Sequence, residues 1–365
     1  MHFSCNNSFF LKGILLLSNI CQSKSTKQIL QAVKIIVDDS EIQLLATDLE
    51  IAVRYKITDC KVNEKGITAL PLNKLLNMIK EIKDDNIEIK CNNQICHINS
   101  KDVQYKLITD NYEEFPLIPE YDFKDSVIIN AKQFSIFSNK TVFSVAKDIS
   151  CYSYNGVLLE IFEDGIKFVS TDGRRLSIAG NISNERENIL FSAIVPVKGI
   201  IQITKTIKND LDDVLLKIYK NQFIAKIDNV EVASRLLEGE YPKYKDVIPK
   251  DNINLVRINV EDLILSLRKA SITAGNEVRA VQFIFNKNTL TLFSQQEGIG
   301  ESKTEIPIKY SGDILNITFN PDYIMDFIKE VNNDEVIFRI KDGSSSCIIE
   351  DSENEFYIIM PITNN

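Results

Sequence analysis

Long apolar runs, closely paired cysteines and histidine clusters are all missing from this chain of 365 residues, and each absence removes a class of protein. No stretch approaches the ~20 apolar residues of a membrane-spanning helix, so no membrane partner is expected. The segment 9–21 alone resembles a signal peptide; Lys12 interrupts it and no basic region precedes it, so an amphipathic helix is expected there. Seven cysteines (5, 21, 60, 91, 96, 151 and 347) form no Cys-x-x-Cys pair. Free thiols in a reducing cytoplasm are therefore expected, rather than disulfides or structural zinc. Cys91, Cys96 and His97 come nearest to a metal cluster, but they lie along an expected strand, and the other histidine is His2. There is no Gly-x-x-x-x-Gly-Lys phosphate loop and no Gly-x-Ser-x-Gly elbow. No catalytic residue, metal or cofactor is expected.

What is present is an internal repeat. Ile67-Thr-Ala-Leu-Pro71, Ser192-Ala-Ile-Val-Pro196 and Ile317-Thr-Phe-Asn-Pro321 each end a β-prone run at proline, and a helix-period segment follows each. The three prolines lie 125 residues apart. Proline suits the start of a helix because the N–H it lacks would have no intrahelical partner. Thr47-Asp48-Leu49 and Thr171-Asp172-Gly173 repeat at nearly the same period, as do Glu114-Phe115-Pro116 and Glu240-Tyr241-Pro242. Ile129-Asn130 and Ile258-Asn259 open the second and third repeats. Each repeat reads as strand, helix, strands, helix, strands. The expectation is an α+β chain of three like domains, residues 1–122, 127–249 and 255–365, each with two helices packed on antiparallel sheets.

A net charge of −9 argues by itself against a nucleic-acid partner. The distribution argues otherwise. The expected helices at 8–20, 72–83, 132–147, 197–208, 260–274 and 322–331 together carry a positive balance, and those at 132–147 and 197–208 hold six lysines and no acid. Basic helices on an acidic body suit a protein that meets phosphate on one surface only. Helices ~10 Å across, lining a hole wide enough for a hydrated duplex, number roughly 11 or 12. One chain supplies six, so a two-fold dimer would close such a ring.

These features come with a resemblance. Ala46-Thr-Asp-Leu-Glu50, Tyr154-Asn-Gly156, Ser170-Thr-Asp-Gly-Arg-Arg-Leu176, Val195-Pro-Val-Lys-Gly199, Leu237-Glu-Gly-Glu-Tyr-Pro-Lys-Tyr244 and Tyr357-Ile-Ile-Met-Pro361, in this order, resemble the beta sliding clamp family, the beta subunit of bacterial DNA polymerase III. The resemblance covers essentially the whole length. It implies a homodimeric ring around double-stranded DNA, a non-catalytic processivity factor in DNA replication, and a cytoplasmic location. It implies a pocket for short linear peptides of the replicative polymerase catalytic subunit, the clamp loader, repair polymerases and mismatch-repair factors. Carried over by position, that pocket uses Tyr154, Thr171, Gly173, Arg174, Arg175, Leu176, Pro242, Val247, Ser344, Ser346, Ile358, Ile359, Met360, Pro361 and Ile362. Lys24, Lys74, Lys80, Lys147, Tyr152, Lys198 and Lys205 are carried over as DNA-binding residues, and Leu107 and Ile272 as dimer contacts. The sequence departs from the family at Arg174, where histidine is common, at Asp246, Ser153 and Val197, and at its Thr363-Asn-Asn end. A repeat-built interaction scaffold that does not encircle DNA is the alternative reading.

Overall fold

Each repeat opens on a short strand that ends in asparagine, and that asparagine starts a helix. A computed structural model describes residues 1–21, 27–92, 94–147, 152–163, 165–181, 189–251, 253–275, 279–352 and 354–363. In β1 (His2–Asn6), β10 (Val127–Asn130) and β18 (Asn254–Asn259) the terminal asparagine oxygen accepts a backbone N–H of the following turn, from Ser8 at 2.9 Å, Lys132 at 3.0 Å and Asp262 at 3.1 Å. This satisfies one of the helix's orphan donors and starts α1 (Asn7–Ser18), α3 (Ala131–Val142) and α5 (Val260–Ala270) at defined residues. The second helices begin at the periodic prolines. Pro71 and Pro196 end β6 (Gly66–Pro71) and β14 (Phe191–Pro196), ahead of α2 (Leu72–Glu81) and α4 (Val197–Thr206). Pro321 is the first residue of α6 (Pro321–Ile328), which follows β22 (Leu315–Phe319). In α2, Leu72, Leu75, Leu76 and Ile79 are buried on one face and Lys74 and Lys80 stay exposed on the other.

The chain forms two compact units that do not coincide with the repeats. Met1–Phe134 with Lys198–Leu236 make the first. It holds a five-stranded sheet in the order β5 (Cys60–Glu64), β1, β7 (Asn86–Asn92), β8 (Ile95–Asn99) and β9 (Gln104–Ile108). Its eight-stranded sheet runs β10, β15 (Asp213–Tyr219), β16 (Gln222–Ile227), β17 (Val230–Arg235), β4 (Ile51–Ile57), β3 (Ile42–Thr47), β2 (Ala32–Val37) and β6. The β17–β4 pairing, with Val232 opposite Val53, puts strands of the first and second repeats in one sheet. Across it the buried Arg54 meets Glu231 at 2.6 Å, and its other arm donates to the carbonyls of Ile118 and Pro119. In α1, a Cβ on Gly13 would stand 2.6 Å from the Tyr55 ring, so the helix lies on its sheet only because that residue has no side chain.

Ser135–Val197 with Leu237–Asn365 make the second unit. Its eight-stranded sheet runs β14, β11 (Gly156–Ile161), β12 (Ile166–Thr171), β13 (Arg175–Gly180), β25 (Glu355–Ile359), β24 (Cys347–Ser352), β23 (Glu335–Ile340) and β18. β13 pairs with β25, so the second and third repeats again share a sheet. A four-stranded sheet runs β21 (Gly300–Pro307), β20 (Thr289–Gln296), β19 (Val281–Asn286) and β22. Phe283, Phe285, Phe319, Phe327, Phe338 and Tyr357 fill the core of the third repeat.

Two expectations are corrected. α3 ends at Val142, five residues before the expected limit, where Thr141 and Ser144 hydroxyls donate to the carbonyls of Phe137 and Thr141 and compete with the helix ladder. Within it Lys140 is buried, its ammonium held by Asp351 and Glu355, so it is not one of the surface cations counted on that helix. The second correction concerns thiols. Cys91 and Cys96 are directly opposed on β7 and β8 and joined by a disulfide, with Cα atoms 4.0 Å apart. Cys5 and Cys21 are buried free thiols as expected, and burial pushes both up to about 12. No group of three metal-ligating side chains occurs among the described residues.

Candidate docking cleft and nucleic-acid surface

The turn from β12 to β13 is built by its own side chains. Thr171 Oγ1 donates to the Arg175 carbonyl at 2.6 Å and accepts from Gly173 N–H at 3.0 Å. Asp172 accepts the N–H groups of Arg174 and Arg175. Gly173 takes φ +85°, the left-handed region this turn requires. Thr47 and Asp48 make the same bonds in the first repeat, with Leu49 at φ 77°. The sequence landmark is therefore one structural device used twice.

Arg175 anchors the second copy. Its Nε lies 2.9 Å from Asp172, Nη1 2.8 Å from Asp326, and Nη2 donates to the Phe143 carbonyl. The guanidinium also sits 4.3 Å from the centre of the Tyr323 ring. A buried cation with this many partners positions the turn; it does not offer itself to a ligand. Burial pushes the Tyr357 phenol up, and its hydroxyl donates to the Tyr323 carbonyl at 2.9 Å.

One face of this sheet carries an apolar cluster of Leu158, Val169, Leu176, Ile178, Ile194, Tyr244, Ile348 and Ile358. Leu176 and Ile358 are opposed in register. Tyr241 covers the cluster and donates to the Val169 carbonyl at 3.3 Å, and its ring packs tilted to that of half-buried Tyr154 at 6.4 Å. Val247 is 57% exposed and Met360 51%, so two of the carried-over apolar residues stand open to a ligand. Met360 N–H donates to the Arg174 carbonyl, which ties the tail to the turn, and exposed Arg174 reaches the Tyr323 hydroxyl at 3.5 Å. Pro242, Pro361 and Ile362 are half-buried, and Ile362 N–H donates to the Thr318 carbonyl.

Some carried-over residues are placed elsewhere. Ile359 belongs to the core on the opposite face of β25, because side chains alternate along a strand. Ser344 is exposed, but its hydroxyl donates to Asp342 in a local turn; Ser346 is half-buried. Tyr241, Tyr244, Ile178, Ile348 and Phe356 were missed, although the alternation of β13, β24 and β25 marks the isoleucines and Phe356 as sharing that face.

Of the carried-over cations, Lys74, Lys80, Lys147, Lys198 and Lys205 are all exposed. Lys198 lies 3.1 Å from Glu50, which partly neutralises it. Lys24 lies outside the described residues; Tyr152 begins the short turn Tyr152–Asn155, and its side chain lies outside them too. Within the first unit a 510 Å³ cavity brings Lys12 of α1 together with Lys205 and Lys208 at the end of α4. Lys12 and Lys208 were not singled out by the resemblance, though both belong to the basic helical segments. Leu107 is buried in its own repeat opposite Cys96, whereas Ile108 is 71% exposed and Ile272 78%. β9 is an edge strand, and Gln104, Lys106 and Ile108 are its exposed residues.

These repeats, with sheets shared between successive ones, are matched by known proteins. Family models described as the N-terminal, central and C-terminal domains of the DNA polymerase III beta subunit match residues 1–119, 128–243 and 245–363. The beta sliding clamp of Chlamydia pneumoniae is 29% identical over 328 residues, 89% of this chain and 88% of that protein. The beta sliding clamp of Haemophilus influenzae is 25% identical over 365 residues, 99% of this chain and all of that one. A crystal structure of a DNA polymerase III beta subunit from Eubacterium rectale superposes with a TM-score of 0.92 at 26% identity, and one from Pseudomonas aeruginosa with 0.93 at 23%; each covers 100% of both chains. The fold is thus that of the bacterial polymerase clamps. The chain belongs to the DNA polymerase III beta subunit family.

Proposed function

We infer that this chain is a DNA sliding clamp, a non-catalytic processivity subunit that holds DNA and tethers polymerase during replication. The observation that carries the reading is the match of all three beta-subunit domain models, in order, along nearly the whole chain. The exposed lysines of α2 and α4, and Lys12 facing Lys205 and Lys208, support sequence-independent contact with phosphate. The apolar cluster beside the Thr171–Arg175 turn, with Val247 and Met360 open, supports docking of short peptides. Among partners, the polymerase catalytic subunit, the clamp loader, repair polymerases and mismatch-repair factors are proposed to share this cleft in turn.

Ring closure is proposed to join two copies, the exposed edge of β9 with Ile108 in one meeting the β21 edge and Ile272 of the other. No helix among the described residues is long and apolar enough to cross a membrane, and a cytoplasmic or nucleoid location is proposed. Solution mass tests the assembly: twice the 41.5 kDa of one chain is expected, and a stable monomer would contradict the ring. Removing residues 360–365 should abolish binding of a polymerase-derived peptide and leave the dimer intact.

A further inference from the structure

We propose that the docking cleft continues into a lysine-rimmed groove that receives an acidic stretch flanking the docked peptide. The proposal rests on the docking reading above and adds to it the chemistry of the partner's flank. The groove has a volume of 310 Å³, with Ile178, Phe356, Tyr244 and Ile248 against it. Lys245 and Lys250 stand at its rim and are exposed.

Continuity with the cleft follows from strand geometry. On β13, Leu176 and Ile178 share one face, and on β25 so do Ile358 and Phe356. Leu176 is paired with Ile358 and Ile178 with Phe356, so the two pairs are successive rungs of one ladder face. An extended peptide advances ~3.4 Å per residue, so about two residues carry it from the first rung to the second. The turn Tyr244–Val247 borders both regions, since Val247 belongs to the carried-over pocket and Tyr244, Lys245 and the following Ile248 line the groove.

The charges favour an anion. Glu160 accepts the Tyr244 hydroxyl at 2.6 Å and is itself buried. Glu355 points to the other face of β25, where it holds Lys140. Asp246 is an exposed acid in the turn itself, set beside two exposed lysines. An apolar, aromatic floor under a cationic rim fits a peptide with acidic side chains better than a bare phosphate backbone, which needs no such floor.

The test is a fluorescence anisotropy titration of the full chain with a labelled, uncharged leucine- and phenylalanine-containing pentapeptide. The same peptide is then extended by four glutamates, or by four glutamines, at either end. The glutamate extension at one end should tighten binding about fivefold at low salt, the glutamine extension should not, and the gain should fade toward ~0.5 M salt. The exposed-site double variant Lys245→Glu with Lys250→Glu should bind the bare pentapeptide normally and lose the gain; Lys245→Arg with Lys250→Arg should keep it. Equal affinity for both extensions, or a gain that survives in the glutamate double variant, overturns the proposal alone. Failure of the bare pentapeptide to bind overturns the docking reading with it. Tighter binding of a single-stranded oligonucleotide than of the glutamate peptide, lost in the same variant, would assign the lysines to nucleic acid and also overturn it.

Discussion

Arg175 Nη1 stands 2.8 Å from the Asp326 carboxylate, so the turn that opens β13 in the second repeat is fastened to α6 of the third. The same guanidinium holds Asp172 inside the turn and the Phe143 carbonyl beyond it. The rim of the cleft is therefore set by a cation that lies beneath it.

Replacing Arg175 with alanine leaves Asp172, Asp326 and the Phe143 carbonyl without this donor. A loss of about 2–4 kcal/mol of stability is expected, with at least tenfold weaker peptide binding. Asp326→Asn should do less, because Asp326 is 39% exposed and keeps water as a partner. Urea denaturation and peptide titration check both. Unchanged peptide affinity in a folded Arg175→Ala protein would contradict the positioning role.

Lys140 poses a different case, since it and Asp351 are 2% and 1% exposed. Lys140→Ala strands two carboxylates and should cost about 3–5 kcal/mol, whereas Lys140→Met combined with Asp351→Leu and Glu355→Leu should cost much less. Duplex affinity of the folded single variant should equal that of the parent. A weaker duplex complex would return Lys140 to the DNA surface.

Among the exposed cations, Lys205→Ala should lower the slope of log affinity against log salt by about 1, as expected for one lost phosphate contact. Lys198→Ala should change it less, because Glu50 already occupies its ammonium at 3.1 Å. Glu50→Ala should strengthen duplex binding slightly. Salt-dependent filter binding or anisotropy distinguishes these outcomes.

Backbone and hydroxyl donors of Ser344 and Ser345 hold the Asp342 carboxyl at about 2, against an ordinary 3.8. A depressed folded value means the contribution is complete above about pH 4 and is lost as pH falls toward 2. A carbon-detected NMR titration should place the midpoint near 2. A midpoint near 3.8 would show that the turn is open in solution.

Local signals in the sequence carried the repeats a long way. Asn130 and Asn259 at strand ends, and Pro71, Pro196 and Pro321 at helix starts, act within one turn of the chain, so their period maps onto the helices directly. Pairing across repeats was not legible, because Val53 and Val232 meet on a register that no local pattern encodes. The same parity separates Leu107 from Ile108, and Ile358 from Ile359, where one step along a strand exchanges core for cleft or surface. Lys140 reads as a solvated lysine in Ser138-Asn-Lys-Thr141 until Asp351 and Glu355, more than two hundred residues away, are folded against it. The pairing of Cys91 with Cys96 likewise depends on a hairpin register that composition does not reveal.

Retention on DNA after loading tests the account most directly. Labelled protein loaded by a bacterial clamp loader should remain on nicked circular DNA through gel filtration and run off the same molecule once a restriction enzyme has linearised it. Equal retention on circular and linear DNA would contradict a clamp that encloses the duplex.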